Sequence, residues 1–487
     1  MRLQNLQAIR GIAALMVVLV HAVSIYGSGN LGAPAFIRSY LWMVGPAGVD
    51  VFFVISGFII STVALGAANH ASGTNASIAC GFIVKRAARI YPAYWVALLF
   101  AFAAWPAVLA SDIGWGQKPL WRLALLMERD NYLIIAAWTL VYEMYFYAVV
   151  AVLLLLSPPR LLTSLTVWGA ASMIVAAMIA FAAPQWQGEI PLSPMIGEFL
   201  LGIFVGHLFR KGLGRYPIAG IAVGLIWFFV ACEINVAYFN YTNPWFRLIG
   251  FGVGAAVVVY GVLVVERDHQ WTFSAPWQRL GDASYSIYIW HQPIYAAAFA
   301  AVVYFGLDQV APIWAFIAPF VLIVLCVGFL SFHLIERPAQ SFINNALLPI
   351  STKVGFARVA VPAFALAAML AIPAPKTFIE MPKPVERADA GVAKIINGDA
   401  HIFEATRVDI PKDATVIRFT VNSSEPGKLY AGYHIEGTLK QKWAEFQAGS
   451  GTAELEVQQP VDGSHIWLQI ETPRPKNFTI LGVQAFR

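Results

Sequence analysis

Apolar residues run along the chain in stretches at 11–27, 46–66, 90–109, 138–156, 161–182, 193–210, 216–233, 245–265, 282–304, 312–333 and 355–373. A helix that crosses the hydrocarbon core needs about 20 mostly apolar residues, so the pattern predicts ten core helices, with 355–373 as an eleventh. The stretch 112–130 breaks this rhythm with Asp112, Lys118, Arg122, Glu128, Arg129 and Asp130, and it reads as an outer interfacial helix or a re-entrant piece. Beyond residue 374 the period changes. Pro375, Pro382 and Pro384 mark a linker over 375–398. Alternating segments follow at Thr415 to Val421, Lys428 to Ile435, Ala453 to Val457, His465 to Glu471 and Phe478 to Phe486. Period-two alternation between turn-forming pairs predicts a small all-β sandwich at 399–487. The expected division is therefore a helical membrane domain at 1–345, the eleventh helix within 346–374, the linker, and the sandwich.

Composition sharpens the class. Of 487 residues 59% are hydrophobic and only 12% charged, far from the averages of soluble domains. Arg2 and Arg10 ahead of the first apolar run would also suit a signal peptide, yet the later runs make the chain a polytopic membrane protein in either case. The net charge of +5 sits in membrane loops and reads as topology, which leaves no case for nucleic acid as a partner. With the N-terminus inside, Arg2, Arg10, Lys85, Arg86, Arg89, Arg160, Arg210, Lys211 and Arg215 are cytoplasmic, while Arg38, Lys118, Arg122, Arg129 and Arg247 fall outside. An odd number of crossings then carries the C-terminal domain to the periplasmic side. The cysteines Cys80, Cys232 and Cys326 are too scattered for a metal site or a disulfide framework.

Ionisable residues inside such helices are expensive and usually face a protein interior or a wet cavity. Arg10 and His21 lie eleven positions apart, hence on one face of the first helix and about 16 Å apart along it. Arg86 and Arg89 share a face at the expected start of the third helix, and guanidinium forks suit phosphate. Depth along each helix sorts the polar residues into a basic inner layer of Arg10, Arg86 and Arg89 and an outer layer of His21, Asp50, Glu143 and His291. A carboxylate at the level of an imidazole can orient it as a general base, the role expected of Glu143 or Asp50 toward His21. Ser284, Tyr288 and His291 fall on one helical face, as the wall of a substrate path. Gly48, Ser56 and Gly57 would let helices approach closely. A helix-packing role is the commoner fate of each such residue taken singly.

These residues fall into ordered motifs. They are Arg10 with His21; Gly48-Val49-Asp50-Val51-Phe52-Phe53 with Ser56-Gly57-Phe58; Arg86-x-x-Arg89-Ile90-x-Pro92; Trp138-Thr139-Leu140-x-x-Glu143-x-x-Phe146-Tyr147; Leu280 to Pro293; and Glu336-Arg337-Pro338. The set resembles the membrane-bound acyltransferase family three, integral-membrane enzymes that O-acetylate polysaccharides, lipopolysaccharides, nodulation factors and macrolides. The resemblance covers about residues 1–345. It implies ten core helices, acetyl-coenzyme A as co-substrate from the cytosol, and an acceptor hydroxyl on the periplasmic side. It also implies coenzyme contacts from Arg10, Arg86 and Arg89, with His21 as the catalytic histidine. Many family members carry a further SGNH hydrolase-like domain; here the C-terminal segment is too short and lacks a Gly-Asp-Ser nucleophile.

The expectation is an O-acyltransferase of a bacterial inner membrane, moving acetyl to a polysaccharide or lipopolysaccharide, with membrane lipids around it, no metal, and a homo-oligomer compatible with it. The rival class is a transporter for a glycan or small solute. Inverted repeats and paired broken helices would favour that rival, and the sequence offers neither. Tyr430, Tyr433, Trp443 and Trp467 of the sandwich could stack on sugar rings or form its core.

Overall fold

The computed structural model describes residues 3–24, 41, 43–70, 74–104, 119–129, 131, 133–182, 190–238, 243–305, 307, 310–311 and 313–347. In the C-terminal part it describes 389–392, 394–396, 406–409, 416–423, 427–435, 438–447, 449–456, 465–471 and 478–486. The expected eleventh helix at 355–373 lies outside these residues, as does 112–118.

The first helix, α1 (Gln4–Ser24), starts before its apolar run. Its opening backbone N–H groups would be orphans, and Glu266 accepts two of them, from Gln4 at 2.7 Å and Asn5 at 2.9 Å. Next come α2 (Gly48–His70) and α3 (Asn75–Ala104). The five-residue α4 (Leu120–Ala124) precedes α5 (Trp138–Leu156), α6 (Leu161–Ala182), α7 (Ile196–Arg210) and α8 (Pro217–Tyr238). The short α9 (Pro244–Arg247) runs through a π-turn at Leu248–Gly252 into α10 (Val253–His269). After α11 (Ala275–Asp282) and α12 (Ser284–Tyr304), α13 (Ile317–Ser331) passes through a second π-turn, Phe332–Glu336, into α14 (Arg337–Phe342). Among the described residues eight helical segments are long and apolar enough to cross a membrane, and the chain is a multi-pass membrane protein. The expected runs at 193–210 and 282–304 are helical without being among those eight.

The third helix differs from expectation in a way that matters. Its apolar run begins at residue 90, but the helix begins at Asn75, because Lys85, Arg86 and Arg89 interrupt hydropathy without interrupting helix propensity. Arg86 and Arg89 thus stand in the middle of α3. They do not begin it.

α1 lies centrally, in contact with α2, α10, α11, α12 and α13. Its Ala13, Ala14, Val17 and Val18 are buried. Glycines set the closest crossings. A Cβ on Gly48 would come within 2.6 Å of the Ala13 carbonyl oxygen on α1, and one on Gly57 or Gly202 would overlap backbone of the facing helix across the α2/α7 seam. α6 and α8 carry Ile174, Met178, Phe181, Val223, Ile226 and Phe229 outward, the apolar exterior that lipid tails require. The interrupted stretch forms α4, held against α3 by hydrogen bonds from Tyr94 Oη to the Leu123 carbonyl (2.6 Å) and from Trp95 Nε1 to the Ala124 carbonyl (2.8 Å).

The C-terminal part is antiparallel β, in two sheets. β1 (Asp389–Val392), β4 (Val416–Ser423), β7 (Gly449–Glu456) and β9 (Phe478–Phe486) form one in the order β1-β9-β4-β7. β2 (Lys394–Ile396), β3 (Thr406–Asp409), β5 (Gly427–Ile435), β6 (Thr438–Phe446) and β8 (His465–Glu471) form the other in the order β2-β3-β8-β5-β6. Two of these strands, β1 and β2, fall inside the residues expected as linker. Buried Val416, Ile417, Phe419 and Val421 with Ala453 and Leu455 supply a core on β4 and β7. Trp443 is 50% exposed, so it is not a core residue. The side chains of Tyr430, Tyr433 and Trp467 lie outside the described residues.

Candidate active site

Five helices enclose one cleft. Arg10 comes from α1, and Val49, Phe52, Phe53, Ser56 and Ile60 from α2. Arg86, Arg89 and Ile90 come from α3, Thr139, Glu143 and Tyr147 from α5, and Tyr285 with Tyr288 from α12. Its empty space, counted out to open solvent, is about 720 Å³. Apolar walls with a few convergent charges are what a ligand with an anionic end and a less polar remainder requires.

The charged groups divide the work. Arg10 is 8% exposed and donates from Nη1 to Gln7 Oε1 at 2.9 Å, within electrostatic reach of Arg89, Glu336 and Glu143. Arg86 holds its guanidinium 5.9 Å from the Phe82 ring centroid, and its buried Nε has no hydrogen-bond partner. A buried charged donor without a partner is costly, and an anionic ligand in the cleft would supply one. Tyr147 donates its hydroxyl to Glu143 Oε1. Glu336, from the second π-turn, is buried and accepts from Ser286 at 2.7 Å and Gln340 at 3.2 Å. Tyr285 donates to the Ile90 carbonyl at 2.6 Å, tying α12 to α3 beside the cleft.

His21 is half-buried on α1 and does not line the cleft. Its Nδ1 lies 3.2 Å from Nε2 of the fully buried His291 on α12, and 2.9 Å from the Val17 carbonyl oxygen. His291 Nδ1 in turn contacts the Tyr288 carbonyl oxygen. The Tyr288 hydroxyl meets Thr139 Oγ1 at 2.9 Å and donates to the Ala136 carbonyl at 3.1 Å, which carries the connection to the cleft wall.

The two-layer expectation needs correcting in three places. Glu143 belongs with the arginines, because Arg86 and Arg89 stand within the long α3 and line the same cleft as Glu143, which was expected in the layer of His21, Asp50 and His291. Asp50 is fully buried and accepts from Arg247 on both oxygens, at 3.1 and 2.9 Å, and makes no hydrogen bond to His21 among the described residues. Arg247, expected in an outer loop, is thereby an interior residue at 9% exposure. The side chain that the structure places in hydrogen-bonding distance of His21 is His291. Of the expected path residues, Tyr288 lines the cleft and His291 pairs with His21, while Ser284 is buried away from it with its hydroxyl unpartnered. Sequence reasoning missed Tyr285 and the Arg247 partnership. A lone arginine and a lone aspartate, each inside an apolar stretch, are the signal that could have suggested the latter.

A family model described as an acyltransferase domain, of the third acyltransferase family, matches residues 3–332. The exopolysaccharide production protein ExoZ of Rhizobium meliloti (strain 1021) is 31% identical over 306 residues, covering 61% of this chain and 89% of the relative. BcsY of Komagataeibacter xylinus, named as a candidate membrane-bound transacylase, is 26% identical over 390 residues, 76% of this chain and 91% of the relative. No solved structure matches.

Proposed function

The chain belongs to the membrane-bound acyltransferase family three, and from that premise we propose that it O-acetylates an exported or cell-envelope polysaccharide, with acetyl-coenzyme A as donor. The observation that carries this reading is the cleft of Arg10, Arg86 and Arg89, with an orphaned guanidinium nitrogen on Arg86. Three guanidinium groups against the single carboxylate of Glu143 match the phosphates of the coenzyme, and the apolar wall of Val49, Phe52, Phe53 and Ile60 matches its thioester arm. The polysaccharide acceptor is supported by the relative named for exopolysaccharide production. We place the protein in a bacterial inner membrane, with its N-terminus cytoplasmic and its β part periplasmic. Its two antiparallel sheets are read as a sandwich that presents the polymer.

Chemically, the imidazole of His21 takes the proton from a sugar hydroxyl as that oxygen attacks the thioester carbonyl. The carbon–sulfur bond breaks, the coenzyme leaves as a thiolate, and the proton on His21 passes to it. No net proton is gained or lost. Arg10, Arg86 and Arg89 hold the donor, and Glu143 with its Tyr147 partner steadies the guanidinium groups.

Replacing Arg86 and Arg89 together by Ala tests the donor side. Titration of labelled acetyl-coenzyme A into detergent-purified protein should show affinity at least 10-fold weaker, because charge-assisted bonds of about 1.5–3 kcal/mol each are lost. Lys at both positions should restore only part, lacking the fork. Unchanged affinity in the double Ala variant would remove the arginines from the donor site.

A further inference from the structure

The two histidines form a hydrogen-bond chain whose proton positions can be read from their partners. A carbonyl oxygen only accepts, so His291 Nδ1 must carry hydrogen to contact the Tyr288 carbonyl. A neutral imidazole with hydrogen on Nδ1 has its lone pair on Nε2. That lone pair lies 3.2 Å from His21 Nδ1, which must therefore be the donor. The second neighbour of His21 Nδ1, the Val17 carbonyl oxygen at 2.9 Å, also only accepts and demands the same tautomer. This carbonyl sits four residues back on the same helix, where it is already the acceptor of the backbone ladder. The Nδ1–H of His21 is thus shared between this carbonyl on its own helix and the Nε2 lone pair of His291 on α12.

We infer that His291 is a positioning residue that fixes the tautomer and orientation of His21, leaving Nε2 of His21 as its basic nitrogen. This rests on the reading of His21 as the base. The arrangement differs from an acid–histidine pair, since no carboxylate lies within hydrogen-bonding distance of either ring among the described residues. When His21 holds a proton on Nε2 in mid-reaction, its Nδ1–H keeps an acceptor in His291. The supporting frame is rigid. His291 is fully buried, packed edge-on to Tyr295 at 6.1 Å between centroids, and Tyr295 donates its hydroxyl to the Val18 carbonyl at 3.1 Å, joining α12 to α1 one residue from the Val17 acceptor. Tyr288, which supplies the carbonyl that sets the His291 tautomer, is itself anchored on α5 through Thr139.

The test uses full-length protein in liposomes with His291→Ala, His291→Gln and His21→Ala. Gln places an acceptor oxygen near the position of the imidazole Nε2. His291→Ala should lower kcat about 100-fold, the cost of a base held out of register, with the KM for acetyl-coenzyme A unchanged, and His291→Gln should regain most of that loss. Nitrogen-15 spectra of histidine-labelled protein should show His21 protonated at Nδ1 in the wild type and a mixture of tautomers in His291→Ala. Equal impairment of the Ala and Gln variants, or an unchanged His21 tautomer in His291→Ala, would reduce His291 to a packing residue and overturn the proposal. Full activity of His21→Ala with the expected spectra would instead strike the base assignment and leave the tautomer finding intact.

Discussion

Asp50 and Arg247 share two hydrogen bonds in the interior, Asp50 at 0% and Arg247 at 9% exposure, and Glu198 is fully buried within electrostatic reach of both. Breaking one side of such a pair leaves an uncompensated buried charge and costs about 3–5 kcal/mol. Asp50→Ala should therefore lower the melting temperature of the detergent-solubilised protein sharply, with activity lost through the fold. The Asp50–Arg247 pair is already balanced in charge and a second ionised carboxylate beside it would be uncompensated, so Glu198→Gln, the shape of the neutral acid, should be neutral or stabilising by the same measurement. A wild-type melting temperature for Asp50→Ala would return Asp50 to the list of chemical candidates. At this scale the sequence made the polar residues legible, and the expense of placing Arg10, Arg86, Glu143 and His291 in apolar helices was enough to single them out. Their partners were not legible. Depth along a helix says nothing of its rotation or tilt, and so Glu143 and Asp50 were paired with an imidazole when each has a guanidinium group for a neighbour.

The helices were legible wherever hydropathy and helix propensity agree, as in α1, α5 and α6, and were misread where they part. α3 extends fifteen residues ahead of its expected apolar run because Lys85, Arg86 and Arg89 break the membrane signal while being good helix formers. Strand β6 escaped notice for a related reason. Its Lys440, Lys442 and Glu445 hide the alternation, yet β6 is the edge of its five-stranded sheet, where charged side chains discourage pairing with another chain. The glycines were read correctly as sites of close approach, and the α2/α7 seam gives that reading a consequence. At Gly202 even a Cβ would meet the Val54 carbonyl and the Phe58 backbone nitrogen, the latter at 2.7 Å. Gly202→Leu should force α7 off α2 and cost about 3 kcal/mol or more. Thermal unfolding in detergent would reveal it, whereas Gly220→Ala, at a position with nothing within 4 Å, should leave the melting temperature in place.

For the whole molecule the proposed division of labour is chemistry in the helical part and acceptor presentation in the β part. Deleting residues 378–487 should then reduce acetylation of the native polymer severalfold and leave acetyl-coenzyme A affinity unchanged, an effect of local concentration that a high concentration of short acceptor fragment would bypass. Loss of donor binding in the truncated protein would mean that the β part braces the membrane fold. The central claim is narrower: His21, held by His291 beside an arginine-lined cleft, is the base that lets a sugar hydroxyl take the acetyl group from the donor. Its most direct test is transfer of labelled acetyl from acetyl-coenzyme A to envelope polysaccharide in liposomes containing either wild-type protein or His21→Ala, with donor binding measured on both. The expected result is label in ester linkage on the polymer with the wild type, transfer at least 1000-fold slower with His21→Ala in the range spanned by general-base catalysis, and equal donor affinity. Transfer by His21→Ala at the wild-type rate would contradict it.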